Sequence, residues 1–229
     1  MSQVILNILC EGQTEDRFAN QVLKQYLKGY EIVIKTTILL TNKKKNIRGG
    51  ILSYQQAKSD LGLLIKQHSK KTFEKHYYTT MFDLYALPSD FPSYEEANKI
   101  QDCYSVVKKL EEKFAEDIDC EKFIPYIQLH EFEALVFCGL EHLLIDYPDM
   151  AKQVSNLQKV VEAYEYNTEK INNSPQTAPS KRIIKEFERF HNYDKPKSGT
   201  LVTSRIGIEK LKNSCLHFKE WIEKLENLS

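Results

Sequence analysis

The chain has 229 residues and 26.8 kDa, the size of one large domain or of a core with an appendage. Hydrophobic residues make up 41% and charged residues 28%, ordinary globular values that exclude wholesale disorder and fibrous or collagen-like classes. The 32 basic and 32 acidic side chains balance, so no global field draws the protein onto nucleic acid or a membrane, and any polyanion site is a local patch. Residues 1–150 carry a small acidic excess and residues 151–229 a matching basic one, which suits a carboxylate-rich centre met by a basic surface. Five scattered cysteines form no CxxC pair, so neither a zinc knuckle nor a dithiol redox site is suggested. The opening MSQVILNILCEG lacks a basic leader, and nowhere do about 18 apolar residues run together, so the expected location is a reducing cytoplasm with no membrane partner.

In chain order, Val4–Cys10 reads as a strand buried on both faces and ends at Glu11-Gly12. Thr14 is the expected cap of a helix with Phe18, Val22, Leu23 and Tyr26 on one side, closed by Gly29. A second strand covers Glu31–Leu40, followed by the basic loop TNKKKNIRGG and a helix over Ser53–Gln67. Tyr77–Phe82 is the third strand and ends at Asp83. The proline-bearing LPSDFPSYEE is a loop, with Asp90 capping a turn, and helix resumes over Tyr94–Ala115. Phe123–Leu129 is the fourth strand, running into HEFEALVF, where the period shifts toward helix. Beyond about Leu140 the sequence holds only helical patterns and polar loops. The last helix, from about Ser214, sets Leu216, Phe218, Trp221, Ile222, Leu225 and Leu228 on one stripe. This alternation predicts an α/β fold, a mostly parallel, doubly wound sheet over 1–145, with a helical appendage over 146–229 packed on it.

Ligands of open α/β sheets bind beyond the carboxyl ends of the strands, and three of the four predicted strands end there in an acid: Glu11, Asp83 and Glu131. Converging carboxylates repel one another unless a cation sits among them, and hard divalent ions prefer oxygen ligands. Glu15, in the first helical turn, either faces the same space or only caps the helix. Glu131 and Glu133 share a face if the strand continues; in a helix they point about 160° apart, and only one reaches the site. His130 is a general base, a ligand or a helix cap. Tyr85 either donates to a phosphate and stacks on a base, or is core. Basic side chains for phosphate are Lys43, Lys44, Lys45 and Arg48, before the flexible Gly49-Gly50, and Lys181 and Arg182 after Pro179-Ser180, with Lys195, Lys197 and Arg205 soon after. Both basic stretches also read as solvated faces. Nucleotide-cradling glycine motifs and a serine-hydrolase elbow are absent from the sequence.

VILNILCEGQTE resembles the opening motif of Toprim domains, found in topoisomerases, primases and nucleases of the overcoming-lysogenisation-defect type. EGQTE, FDLYALPSDFP, IPYIQLHEFEALVF, APSKRI and CLHFKEWIEKL together resemble an uncharacterised bacterial family (a DUF) with a Toprim-like core. The resemblance implies a fold that binds Mg2+ or Mn2+ through Glu11 and Asp83. The usual Asp-x-Asp pair is reduced here to Asp83-Leu84-Tyr85, so Glu131 or Glu133 would substitute and a second metal is in question. It also implies a hydrolase role in antiviral defence beside an ABC-type or AAA ATPase partner. The expected function is divalent-metal-dependent phosphodiester cleavage of DNA or RNA, with Glu11, Asp83 and Glu131 or Glu133 on the metal. Lys181, Arg182 or Arg48 neutralises phosphate charge, and Glu15 or His130 orients water. The alternative is a non-catalytic regulatory or interaction module of an ATPase complex.

Overall fold

Strand β1 (Gln3–Cys10) is a run of apolar residues, and its alternation sends Val4, Leu6, Ile8 and Cys10 to one face of the sheet and Leu9 to the other. In the structure, a computed structural model that describes residues 3–42, 47–68, 73–172 and 177–228, β1 is flanked on both sides by parallel partners. On one side lies β2 (Ile32–Ile38) and on the other β5 (Glu74–Asp83), with β6 (Phe123–Ile124) and β7 (Ile127–Gln128) pairing β5 in turn. The pair β3 (Leu40–Asn42) and β4 (Ile47–Arg48) makes a separate two-stranded antiparallel ribbon.

The strand order β2-β1-β5-β6 means that the chain leaves β1 in one direction and later returns past it in the other. The gap between the carboxyl ends of β1 and β5 is therefore the topological switch point, where such sheets open a crevice. Helices cover both faces. One layer joins β1 to α1 (Gln13–Phe18, continuing through the π-helical Ala19–Leu23 to Leu27) and to the helices of the C-terminal part: α5 (Ala151–Ala163), α6 (Pro179–Phe187), α7 (Thr200–Ile206), α8 (Ile208–Ser214) and α9 (Leu216–Glu226). The other packs Leu9, Tyr78 and Phe82 against α2 (Tyr54–His68) and α3 (Cys103–Ile118). A short helix, α4 (Glu133–Val136), comes after β7.

Several local expectations are corrected. Thr14 is not the cap of α1: Gly12 is the N-cap, and the Glu15 carboxylate accepts its backbone N–H at 2.8 Å, a capping-box arrangement. The helix expected over Tyr94–Ala115 is broken into Tyr94–Ala97 and α3, whose start is capped by Asp102 accepting from Ser105 N at 2.8 Å. The fourth strand splits at Pro125-Tyr126, because proline has no N–H to give to a ladder. Asp90 caps α2 rather than its own turn, accepting from Tyr54 N at 2.9 Å. On α9, Phe218, Trp221, Ile222 and Leu225 are buried as expected, but Leu216 is 54% exposed because it precedes the buried stripe by half a turn. No helix among the described residues is long and apolar enough to cross a membrane.

Candidate functional site

Parallel pairing sets Cys10 opposite Met81, so β1 and β5 stop at the same edge. Glu11 N donates to Met81 O at 3.0 Å, and the Glu11 carboxylate turns across the gap to accept Asp83 N on Oε2 at 2.9 Å. The first two acids are thereby locked together at the switch point. Asp83 is in register with Gln128 of β7, which carries the chain on to His130 and Glu131 alongside; Tyr85 N donates to His130 O at 3.0 Å. His130 adopts a left-handed backbone (φ 60°), and this reversal redirects the chain before α4. In the bend between β7 and α4 neither strand alternation nor helical period holds. Glu131 and Glu133 therefore both reach the site, unlike the helical alternative, in which only one would, and each lies 3.4 Å from Lys195 Nζ.

Glu15 completes the group: while capping Gly12 it is only 6% exposed and sits against Glu11. Burial pushes the carboxyls of Glu11, Glu15 and Glu133 up to about 7, with neighbouring acids (Glu131 for Glu11, Glu11 for Glu15, Glu131 and Glu15 for Glu133) adding to it. Asp83 is also raised, by burial first and then by Glu11, Glu15, Glu133 and Glu131. Burial works against the Lys195 ammonium, but Glu133, Glu131 and Asp83 outweigh it and raise its pKa. Glu131 is held further by Ser180 at the start of α6, which donates both its backbone N–H and its hydroxyl, the latter at 2.9 Å.

Two oxygens of the group stand apart. Asp83 Oδ1 and Glu133 Oε1 are shielded from solvent and have no hydrogen-bond partner. Buried acids elsewhere are satisfied: Glu169 accepts from His217 N, Phe218 N and the Tyr104 hydroxyl, each at 3.0 Å, and Glu111 accepts from Ile127 N at 2.7 Å. The donor set suits a hard cation, being all oxygen with two unused lone-pair sites. Its resting arrangement is not a finished cage, because among the described residues no three His, Cys, Asp or Glu side chains are grouped to hold an ion, and Lys195 lies against Glu131 and Glu133.

The whole of this cluster, from Glu11 to Lys195, falls inside the segment 10–226 that matches the family model described as "Domain of unknown function (DUF4276)". The chain belongs to the DUF4276 family. No curated protein and no solved structure shows significant similarity to it.

Within this DUF4276 domain the glycine pair that follows the first basic run lies at the site. Gly50 N donates to Glu11 O at 3.0 Å, and Gly49 packs beside Gly12; their φ values of +83° and +102° suit glycine. Lys43, Lys44 and Lys45 and the Arg48 side chain lie outside the described residues. Lys181 is exposed, and the Arg182 guanidinium donates to Thr177 O at 2.7 Å, so APSKRI meets the acids through Ser180, not through its cations. His130 is buried, with burial drawing its pKa down to about 4, and its ring lies 5.3 Å from that of the partly buried Tyr85, whose hydroxyl burial raises to about 12. His130 is thus neutral at pH 7 and does not cap α4. Sequence reasoning singles out Lys195 only as one of several basic residues and passes over Ser180. The sequence signal available for both is their place in polar turns, PSKR and DKPK, that start helical segments.

Proposed function

We propose that this site binds a divalent cation, Mg2+ or Mn2+, and hydrolyses a phosphodiester of DNA or RNA, in keeping with the Toprim domains whose opening motif VILNILCEGQTE resembles. The observation that carries the reading is the pair of unpartnered, solvent-shielded oxygens, Asp83 Oδ1 and Glu133 Oε1, inside a five-carboxylate group at the sheet's switch point. Such atoms are costly to keep in a protein without a use, and the satisfied Glu169 and Glu111 show what a purely structural buried acid looks like here. Glu11, Asp83, Glu131 and Glu133 would hold the ion. When bound, it polarises the phosphoryl group and stabilises the leaving oxygen.

The protein's own groups divide the rest of the work. Among the described residues, Lys195, which lies 3.4 Å from both Glu131 and Glu133, is placed to meet the phosphate on release from them. Glu15, with its pKa near 7, is suited to take a proton from water. Gly50, whose N–H donates to Glu11 O, keeps the glycine turn at the rim of the site. The test is cleavage of single- and double-stranded DNA and RNA with Mg2+ or Mn2+. Glu11→Gln and Asp83→Asn should each lower the rate by at least about 100-fold without unfolding the chain. Cleavage that survives EDTA, or both substitutions, overturns the proposal.

Lys195 favours one second reading. Its ammonium already pairs with both Glu131 and Glu133, as in a module that needs no ion and serves an ATPase complex, such as one of the ABC type used in antiviral defence. On that reading Mg2+ and Mn2+ leave the melting temperature unchanged.

A further inference from the structure

Remote in function from the acids, two cysteines 77 residues apart meet at the junction of two helical segments. Cys138 lies in the 3-10 segment Phe137–His142 after α4, and Cys215 is the residue before α9. Their sulfurs are 3.3 Å apart, and the Thr168 hydroxyl touches both, at 3.2 Å from Cys138 and 3.3 Å from Cys215. The environments differ. Cys215 is completely buried, whereas Cys138 is partly exposed and lines a surface pocket of about 390 Å3 with Leu140, Glu141, Val161 and Glu162. Chain entropy alone would not keep these residues together; the core around Phe218 and Ile183 holds both backbones in place.

We propose that Cys138 and Cys215 form an oxidisable dithiol, a modification site at which a hydroperoxide entering the pocket converts the pair to an intramolecular disulfide. Cys138 is the attacking group, since of the pair it alone is partly exposed and lines the pocket. Contact with the Cys215 thiol, foremost, and with the Thr168 hydroxyl lowers its pKa, while the same thiol contact and burial raise that of Cys215. The Cys138 thiolate attacks one peroxide oxygen, the O–O bond breaks, and the departing oxygen leaves as water or alcohol after taking a proton. Cys138 is then a sulfenic acid. The Cys215 sulfur attacks the Cys138 sulfur, the S–O bond breaks, and the hydroxyl departs as water with the Cys215 proton. Two thiols are oxidised by two electrons, one peroxide is reduced, and for hydrogen peroxide two waters form. Closing the bond asks the sulfurs to approach by only about 1 Å, since a disulfide spans about 2.05 Å. The bond would tie the segment after Glu133 to the start of the last helix.

The experiment treats the reduced full-length chain with hydrogen peroxide, blocks remaining thiols with N-ethylmaleimide and maps the peptides by mass spectrometry. The expected result is a Cys138–Cys215 cross-linked peptide, with Cys10, Cys103 and Cys120 alkylated and free thiols falling from five to three. In Cys215→Ser, peroxide should stop at a Cys138 sulfenic acid that dimedone traps. Should that variant not fold, the wild-type map decides alone. Five alkylated thiols at a dose that oxidises free glutathione, a different pairing, or sulfinic acid at Cys138 without a cross-link overturns the proposal.

Discussion

At the scale of single residues, partners separate acids that do similar things on paper. Glu169 is fully buried and its carboxylate is consumed by the first N–H groups of α9, so it acts as that helix's cap from a distance. Glu133 is 1% exposed, with an ion pair at 3.4 Å and one oxygen unused. Because burial raises Asp83 above its ordinary value of 3.8, its cost begins above that pH and grows as pH rises, so Asp83→Asn should raise the melting temperature at pH 8 by more than at pH 5, read by circular dichroism. An equal loss at both pH values would mark Asp83 as structural. Lys195→Met leaves Glu131 and Glu133 without their cation. Breaking a buried pair costs roughly 3–5 kcal/mol, but Lys195 is 37% exposed and Glu133 can take a proton, so about 1–2 kcal/mol is expected at pH 8. Adding Glu133→Gln should recover much of that loss in denaturant titrations.

Elements bring these residues together through strand register and one bend. Pairing of Cys10 with Met81 and of Asp83 with Gln128 aligns three strand ends, and the left-handed His130 aims two glutamates where a regular element would aim one. Helix α9 packs on the same strands that carry the acids. Trp221 stacks on Tyr126 with ring centroids 4.0 Å apart and donates its indole N–H to Thr79 Oγ1 at 2.9 Å. Trp221→Phe keeps most of the apolar contact but strands a buried hydroxyl acceptor and should cost about 1–3 kcal/mol. Trp221 is the sole tryptophan, so the loss is measured by urea unfolding followed by circular dichroism, not fluorescence. An unchanged midpoint would show that the hydrogen bond contributes nothing.

For the whole molecule, the acidic group sets a pH dependence. Glu11, Glu15 and Glu133 titrate near 7 when folded, against an ordinary value of 4.5, and Asp83 is raised likewise. Between those values the folded chain binds more protons than the unfolded one. Their stabilising contribution is thus complete below about 4.5 and is lost as pH rises through about 7. His130 runs the other way: depressed to about 4, it adds stability as pH rises toward 6.5. Burial opposes the charge of His217, but Glu111 prevails and raises it, so its contribution fades above 6.5 with that of the glutamates. The metal-free protein should therefore lose melting temperature from pH 5 to 8, and Glu133→Gln should flatten the profile. At pH 8, Mg2+ or Mn2+ at about 100 times its Kd should restore roughly 2.7 kcal/mol. A flat wild-type profile would show that the acids are not protonated in the fold.

The apolar run of β1, the acids closing β1 and β5, and the helical character of the C-terminal part are legible in local pattern, because burial and turn chemistry act between near neighbours in the chain. The amino-acid order alone therefore determined an α/β chain with carboxylates at its strand ends. It could not reveal that Lys195 meets Glu131 and Glu133 across more than 60 residues, that Ser180 braces Glu131, or that Cys138 touches Cys215. Nor could it show that His130 turns the chain so that both glutamates face inward. Those contacts depend on how the layers pack, and packing is a cooperative outcome of the whole core that no local window contains.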